Sequence, residues 1–175
     1  MTLNRISAGR SPPWDLDAII EIGQGSGPVK YEYDSALDVL RVDRFLPSSI
    51  CYPGNYGFIP STCAPDGDPL DVLIVGQPSL IPGVLIRVRP VGALLMTDEK
   101  GDDPKIIAVP VSSLSPTYAN TWSYQELPAP MIKRICKFFR HYKDSAAPMK
   151  WVSETRWLDA QGAAVIIGEA IARAR

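Results

Sequence analysis

Histidine and cysteine are scarce in this chain: His141 stands alone, and the only cysteines are Cys51, Cys63 and Cys136. A single histidine excludes a histidine-rich metal centre, and no motif around it supports a Ser-His-Asp triad. Three is an odd number of cysteines and none belongs to a C-x-x-C pair, so neither a disulfide framework nor a zinc knuckle is expected. Long apolar runs are missing too. None approaches the roughly 18 residues that a spanning helix needs, and Met1 to Pro13 carries two arginines and two prolines without the apolar centre of an export signal. Nor does charge of one sign prevail: 18 Lys+Arg against 19 Asp+Glu leave a formal net charge of −1, which gives no basic footprint for nucleic acid or an anionic membrane. A G-x-x-x-x-G-K-[ST] phosphate loop is also lacking, since Gly23-Gln24-Gly25-Ser26-Gly27 has no Lys-Ser/Thr ending and reads as a turn between strands. These absences predict a soluble cytoplasmic protein with no nucleic-acid or membrane partner.

Proline is what the chain has in excess, 17 of 175 residues against roughly 5% in average usage, and with 13 glycines it punctuates the sequence into short segments. The 46% of hydrophobic residues can fill a core, and the length fits one domain over residues 1–175. Strand-length runs follow one another at Ala18–Ile22, Val29–Tyr33, Val39–Phe45, Gly57–Ile59, Val72–Val75, Val84–Val88, Val91–Met96 and Ile106–Val109, which predicts a small barrel or sandwich. Beyond Pro128 the period changes to that of a helix. Ile132, Ile135, Phe139 and Tyr142 predict an amphipathic helix near 130–143. A second helix is expected from Asp159, its N-cap, to Arg175, with Ala160, Ala163, Ala164, Ile167, Ile171 and Ala174 on one face. The expected fold class is therefore α+β, mainly β with flanking helices.

Acidic residues are concentrated in two segments. Asp66-Gly67-Asp68-Pro69-Leu70-Asp71 places three carboxylates in six residues just before an apolar strand. It fails as an EF-hand loop, because Asp71 stands where glycine is needed and Gln77 where glutamate is needed. On an extended chain Asp71 would point away from Asp66 and Asp68, so a bend near Gly67–Pro69 is required to gather all three. The second segment, Asp98 to Lys105, reads as a hairpin tip whose Asp103 and Lys105 share a strand face with Ile107 and Val109. Lys30 and Glu32 alternate with apolar neighbours in the same way, and Arg44 keeps parity with Leu40 and Val42. Several charges on otherwise apolar strands, with two acidic loops, predict a polar cavity at a barrel mouth. Carboxylates are the ligands that Mg²⁺ prefers, and metals with Lys and Arg can hold a phosphate that carboxylates alone would repel, so the residues point to metal-assisted phosphoryl transfer.

The segment Asp66 to Val72 resembles the signature of the soluble family I inorganic pyrophosphatases. The likeness extends, in order, through Glu21, Lys30-Tyr31-Glu32, Val42-Asp43-Arg44-Phe45, Tyr52-Pro53-Gly54-Asn55-Tyr56-Gly57, Arg89-Pro90-Val91-Gly92, Met96-Thr97-Asp98-Glu99, Asp103-Pro104-Lys105, Ala108-Val109-Pro110, Phe138 to Asp144 and Lys150-Trp151-Val152. The resemblance implies a five-stranded OB-like barrel, Mg²⁺-dependent hydrolysis of pyrophosphate and a homohexamer of the bacterial type, built partly through the helix over 132–142 and His141. It implies several Mg²⁺ ions per site, with Mn²⁺ or Zn²⁺ as substitutes. By matching position, Asp66, Asp71 and Asp103 would hold the first metal and Asp71 would share in a second. Asp98 and Asp103 would take ions arriving with substrate, and Glu21 and Glu32 are outer acidic positions. Asp68 would act as general base on the attacking water. Lys30, Arg44, Tyr56, Lys105, Tyr142 and Lys143 would contact the phosphates, with Tyr52 nearby.

Three local departures are expected to alter turns rather than chemistry: no glycine in Asp34-Ser35-Ala36-Leu37-Asp38, an extra residue in Ala146-Ala147-Pro148-Met149, and Pro104 inside the metal loop. Cys51 and Cys63 are read as small buried side chains. Two rival functions are weaker. A non-catalytic OB-type module for nucleotide or nucleic acid would want a basic groove with stacking aromatics. An aspartyl-phosphate enzyme would place D-x-D directly after an apolar strand, where Cys63-Ala64-Pro65 stands here.

Overall fold

The computed structural model describes residues 6–46, 50–76, 78–98, 101–143 and 156–175. Five strands close into a barrel: β1 (Leu16–Ile22), β4 (Asn55–Ile59), β5 (Leu70–Ile74), β6 (Leu85–Leu95) and β9 (Lys105–Pro110). They run in the order β1-β4-β5-β9-β6, and β6 returns to β1 with Leu16 opposite Val88. All neighbours are antiparallel except β5 and β9, which pair in parallel with Leu73 opposite Ile107. The hairpin of β2 (Val29–Asp34) and β3 (Val39–Phe45) forms a separate two-stranded sheet, and β7 (Thr97–Asp98) with β8 (Gly101–Asp102) a second. A short strand β10 (Arg156–Leu158) extends the barrel sheet beside β6. The expected turn at 146–149 and the segment Lys150 to Val152 lie outside the described residues.

Alternation along the strands builds two cores. Val72, Ile74, Ile106 and Ala108 pack on one face with Ala163 and Ile167 of α2 (Ala160–Arg173). Leu73, Ile107 and Val109 pack on the other with Ile135, Phe138 and Phe139 of α1 (Ala129–His141). Both faces of β5 and β9 are covered, which is why these strands read as continuous apolar runs. Gly57 sits opposite Ile20, where a Cβ would fall on the Ile19 carbonyl oxygen. Its lack of a side chain lets β1 and β4 approach.

Several expectations change in detail. The runs expected as separate strands at Val84–Val88 and Val91–Met96 are one strand, β6, of 11 residues. Pro90 cannot donate to the ladder, and the register shifts between Pro90 and Gly92, so the proline is absorbed at an irregularity rather than ending the strand. In the glycine-free turn, Asp38 adopts a φ of 54°, and the Tyr33 hydroxyl donates to its Oδ1 at 2.7 Å. Asp34 Oδ1 accepts from the Ala36 and Leu37 N–H groups, so two aspartates do what glycine usually does there. The Asp159 cap is present, accepting from the Gly162 N–H at 2.9 Å, but the buried stripe of α2 is Ala163, Ile167 and Ala170, and Ala174 is exposed. Cys51 is exposed and Cys63 half-buried, which corrects the expectation that both are buried.

Candidate active site

The apolar face that packs under α1 ends in charge. Phe58 lies opposite Asp71 on the antiparallel β4–β5 pair, and Lys105 is two residues before Ile107 on the neighbouring β9, so Tyr56, Phe58, Asp71 and Lys105 share one side of the wall. Here a cleft of about 230 Å³ opens. The loop before β5 contributes Asp66 and Asp68, the β2–β3 hairpin Lys30, Glu32, Asp43 and Arg44, and the end of α1 Tyr142 and Lys143. Glu21 and Asp103 complete its charged lining.

Local hydrogen bonds bend the acidic loop as the sequence requires. The Thr62 hydroxyl accepts from the Leu70 N–H at 2.9 Å, Ala64 N–H donates to the Asp68 carbonyl at 2.7 Å, and Gly67 takes a φ of 92° between the two aspartates. The loop is also pinned to the end of α2: the Cys63 N–H donates to the Ala170 carbonyl and Arg173 Nε donates to the Cys63 carbonyl, both at 2.9 Å. On the opposite wall, aromatic packing fixes the end of α1. Tyr52 lies 4.5 Å from Phe138 and 5.2 Å from Tyr56 between ring centroids, and Tyr142 packs against Phe138 at 5.5 Å and Phe139 at 5.6 Å. Tyr52 thus braces the wall from behind.

The electrostatics are crowded. Seven carboxylates (Glu21, Glu32, Asp43, Asp66, Asp68, Asp71, Asp103) share the cleft with four cations (Lys30, Arg44, Lys105, Lys143). Lys105, 2% exposed, pairs with Asp71 and lies 2.5 Å from Asp103 Oδ1, and Lys143 Nζ is 3.9 Å from Asp103 Oδ2. Burial opposes the Lys105 charge, but Asp71 and Asp103 outweigh it and hold the ammonium well above its ordinary pKa. Burial and the charge of Asp71 push Glu21 up to about 8, although the Tyr33 N–H donates to its Oε1 at 2.7 Å. Asp103 is raised by burial, against the pull of Lys105. Burial likewise raises the phenols of Tyr56 and Tyr142, so both stay protonated donors at neutral pH.

A hard divalent cation suits this donor set, which is all carboxylate oxygen and carries a Glu21 whose ionisation is opposed by Asp71. Among the described residues no three His, Cys, Asp or Glu side chains enclose one point closely enough to hold an ion as they stand. Lys105 sits between two of the carboxylates and offsets part of the charge that a cation would neutralise.

Asp98 is placed by its backbone, on β7 opposite Gly101. All the other residues singled out from the sequence line the cleft, apart from the nearby Tyr52 behind it. Sequence reasoning gives no role to Asp43 or Tyr33, which line it too. Alternation would put Asp43 on the side of the strand opposite Arg44. The register, Lys30 opposite Arg44 but Tyr31 opposite Val42, makes Asp43 the extra residue of a β-bulge and turns it toward its neighbour. No signal in the sequence marks that bulge.

The family model of inorganic pyrophosphatase matches residues 18–175. The chain is 49% identical over 173 residues to the inorganic pyrophosphatase of Caulobacter vibrioides, covering 99% of this chain and 97% of that one. It is 47% identical to that of Pseudomonas aeruginosa, with 98% of each covered. Among solved structures, the inorganic pyrophosphatase of Thermus thermophilus superposes with a TM-score of 0.93 at 41% identity over 99% of both chains. That of Coxiella burnetii gives 0.91 at 44% identity over 97% of this chain and all of the other.

Proposed function

This chain belongs to the inorganic pyrophosphatase family, whose enzymes hydrolyse pyrophosphate with a divalent metal cofactor, and we propose that in it water attacks the phosphoanhydride directly, with Mg²⁺ as the metal and Asp68 as general base. The observation that carries this reading is the mixed charge of the cleft, seven carboxylates with four cations around one opening. A nucleotide- or nucleic-acid-binding module would not gather more acids than cations where an anion must enter.

Pyrophosphate repels an incoming nucleophile, so the cleft must lower the substrate's charge and position a water. Asp66, Asp71 and Asp103 would hold one metal, Asp71 would share a second, Asp98 and Asp103 would take ions that enter with substrate, and Glu21, buried, and Glu32, exposed, would support them from outside this set. When bound, such ions acidify water and offset phosphate charge. Asp68, on the exposed lip of the acidic loop, would take the proton of the attacking water. Lys30 and Arg44 face the substrate from the hairpin and Lys105, Tyr142 and Lys143 from the far wall, where they stabilise the charge that grows on the departing phosphate. Tyr56, protonated and buried, adds a neutral donor from the floor.

The test is phosphate release from pyrophosphate with and without Mg²⁺. Activity should require the cation, vanish after EDTA and return on adding Mg²⁺, while Ca²⁺ substitutes poorly because it tolerates looser geometry. Full activity after exhaustive chelation would sink the reading. We also propose a cytoplasmic homohexamer. No helix among the described residues is long and apolar enough to cross a membrane. The likeness to the bacterial enzymes, at 49% and 47% identity over nearly the whole chain, is what supports the assembly. Light scattering at micromolar concentration should give six times the 19.1 kDa chain mass, and a monomer mass would overturn the assembly alone.

A further inference from the structure

The hairpin cations that face substrate are already engaged by a carboxylate of the chain itself. Asp43 Oδ2 lies 2.7 Å from Arg44 Nη1 and 3.1 Å from Lys30 Nζ. The triad sits at the cleft's edge, with side-chain exposures of 26% for Asp43, 20% for Arg44 and 11% for Lys30. Neighbouring strand residues ordinarily face opposite sides, and it is the bulge at Asp43 that brings its carboxylate onto the same two cations. A single carboxylate oxygen between an ammonium and a guanidinium occupies a place suited to a phosphate oxygen, because both anions use the same donors. Glu32 also pairs with Lys30, but its carboxylate is half exposed and touches only that cation.

We propose that Asp43 is a positioning residue that competes internally with phosphate. In the free protein it holds Lys30 and Arg44 in register. When a phosphate group arrives it yields them, and its retained negative charge weakens the hold on substrate and product. Release of the second phosphate is then faster than the cations alone would allow. The inference rests on the assignment of Lys30 and Arg44 as phosphate contacts. Its direction follows from Coulomb's law: a unit negative charge a few ångströms from a bound phosphate opposes binding by more than thermal energy even at an effective dielectric of about 20.

Inorganic phosphate is titrated calorimetrically, in Mg²⁺ buffer, into the full-length protein and its Asp43→Asn, Asp43→Ser and Asp43→Glu variants, beside kcat and KM for pyrophosphate. Asp43→Asn and Asp43→Ser should bind phosphate about tenfold more tightly, with a lower KM and a lower kcat as product release slows. Asp43→Glu keeps the charge and should stay near the parent. Phosphate affinity that is unchanged or weaker in the two neutral variants would overturn the inference, because Asp43 would then only orient the cations. Loss of folding in both would do so as well, making Asp43 a structural anchor. If the unmodified protein neither hydrolyses pyrophosphate nor binds phosphate, the functional reading itself fails. Normal turnover with unaltered affinity in the neutral variants removes only the role of Asp43.

Discussion

Lys105 reaches Asp71 across the seam between the two parallel strands of the barrel, and the pair is buried at the lysine end. The partner it holds is a carboxylate proposed to touch two metals. Replacing Asp71 therefore disturbs more than one contact.

Asp68→Asn and Asp71→Asn should fail differently. Asp71→Asn removes a metal donor and leaves Lys105 without one of its two carboxylates, so the Mg²⁺ requirement should rise as turnover falls. Asp68 lies in the loop just before the strand that carries Asp71 and is proposed to handle a proton, a contribution of typically 10²–10⁴-fold. Its amide should lose turnover by that order with the Mg²⁺ affinity of the free enzyme little changed. Calorimetric Mg²⁺ titrations beside saturated rates distinguish the two. Equal loss of metal affinity in both variants would make Asp68 another ligand.

Acid stability should depend on Glu126. Its carboxylate accepts from the backbone N–H groups of Trp122, at 2.6 Å, and Ser123, at 3.0 Å, closing the one-turn helix Tyr124–Glu126. Those two bonds, together with nearby Arg89, hold its pKa below the usual 4.5. A carboxyl depressed by folding stabilises above its unfolded pKa and loses that contribution as pH falls through the folded value. Glu126→Gln should accordingly lower Tm at pH 6, with the gap to the parent narrowing below about pH 4.5. Thermal melts from pH 3 to 6 give the comparison, and a gap that stays constant would show that the charge is irrelevant.

Close approach of β1 and β4 makes Gly57 a strict position. Gly57→Ala puts a methyl against the Ile19 carbonyl, an overpacking that should cost about 3 kcal/mol and lower Tm by roughly 9 °C. Calorimetry measures it directly. A melting point within a degree of the parent would mean that the strands can separate without cost.

The barrel, both helices and the acidic loop are legible in the sequence because each rests on a local signal: period-two runs between turn residues, the 3.6-residue spacing of Ile132 to Tyr142, and three aspartates in six residues. What is not legible depends on pairing. β7, β8 and β10 are too short to show a period, and their partners lie elsewhere in the chain. The split expected at Arg89-Pro90 follows correctly from proline chemistry, yet a bulge accommodates it. Asp43 is hidden for the same reason, since a bulge reverses side-chain parity and leaves no mark on composition. The buried stripe of α2 includes Ala170, seven residues after Ala163 and three after Ile167, because all three pack into the core beneath the barrel strands, which come from distant parts of the chain.

Closure of the barrel by Leu16 against Val88 has a kinetic meaning. The strands that carry the cleft come from widely separated parts of the chain, and the seam joining β5 to β9 is parallel, a pairing that no tight turn can nucleate. Loop-closure entropy must be overcome before any of these contacts forms, so folding of this topology is expected to be slow. Lys105 and Asp71 meet only when that parallel seam joins, whereas Lys30, Asp43 and Arg44 meet within one hairpin. A ligand that needs both walls of the cleft is expected to bind the closed barrel, so its stabilisation should appear as slower unfolding rather than faster folding.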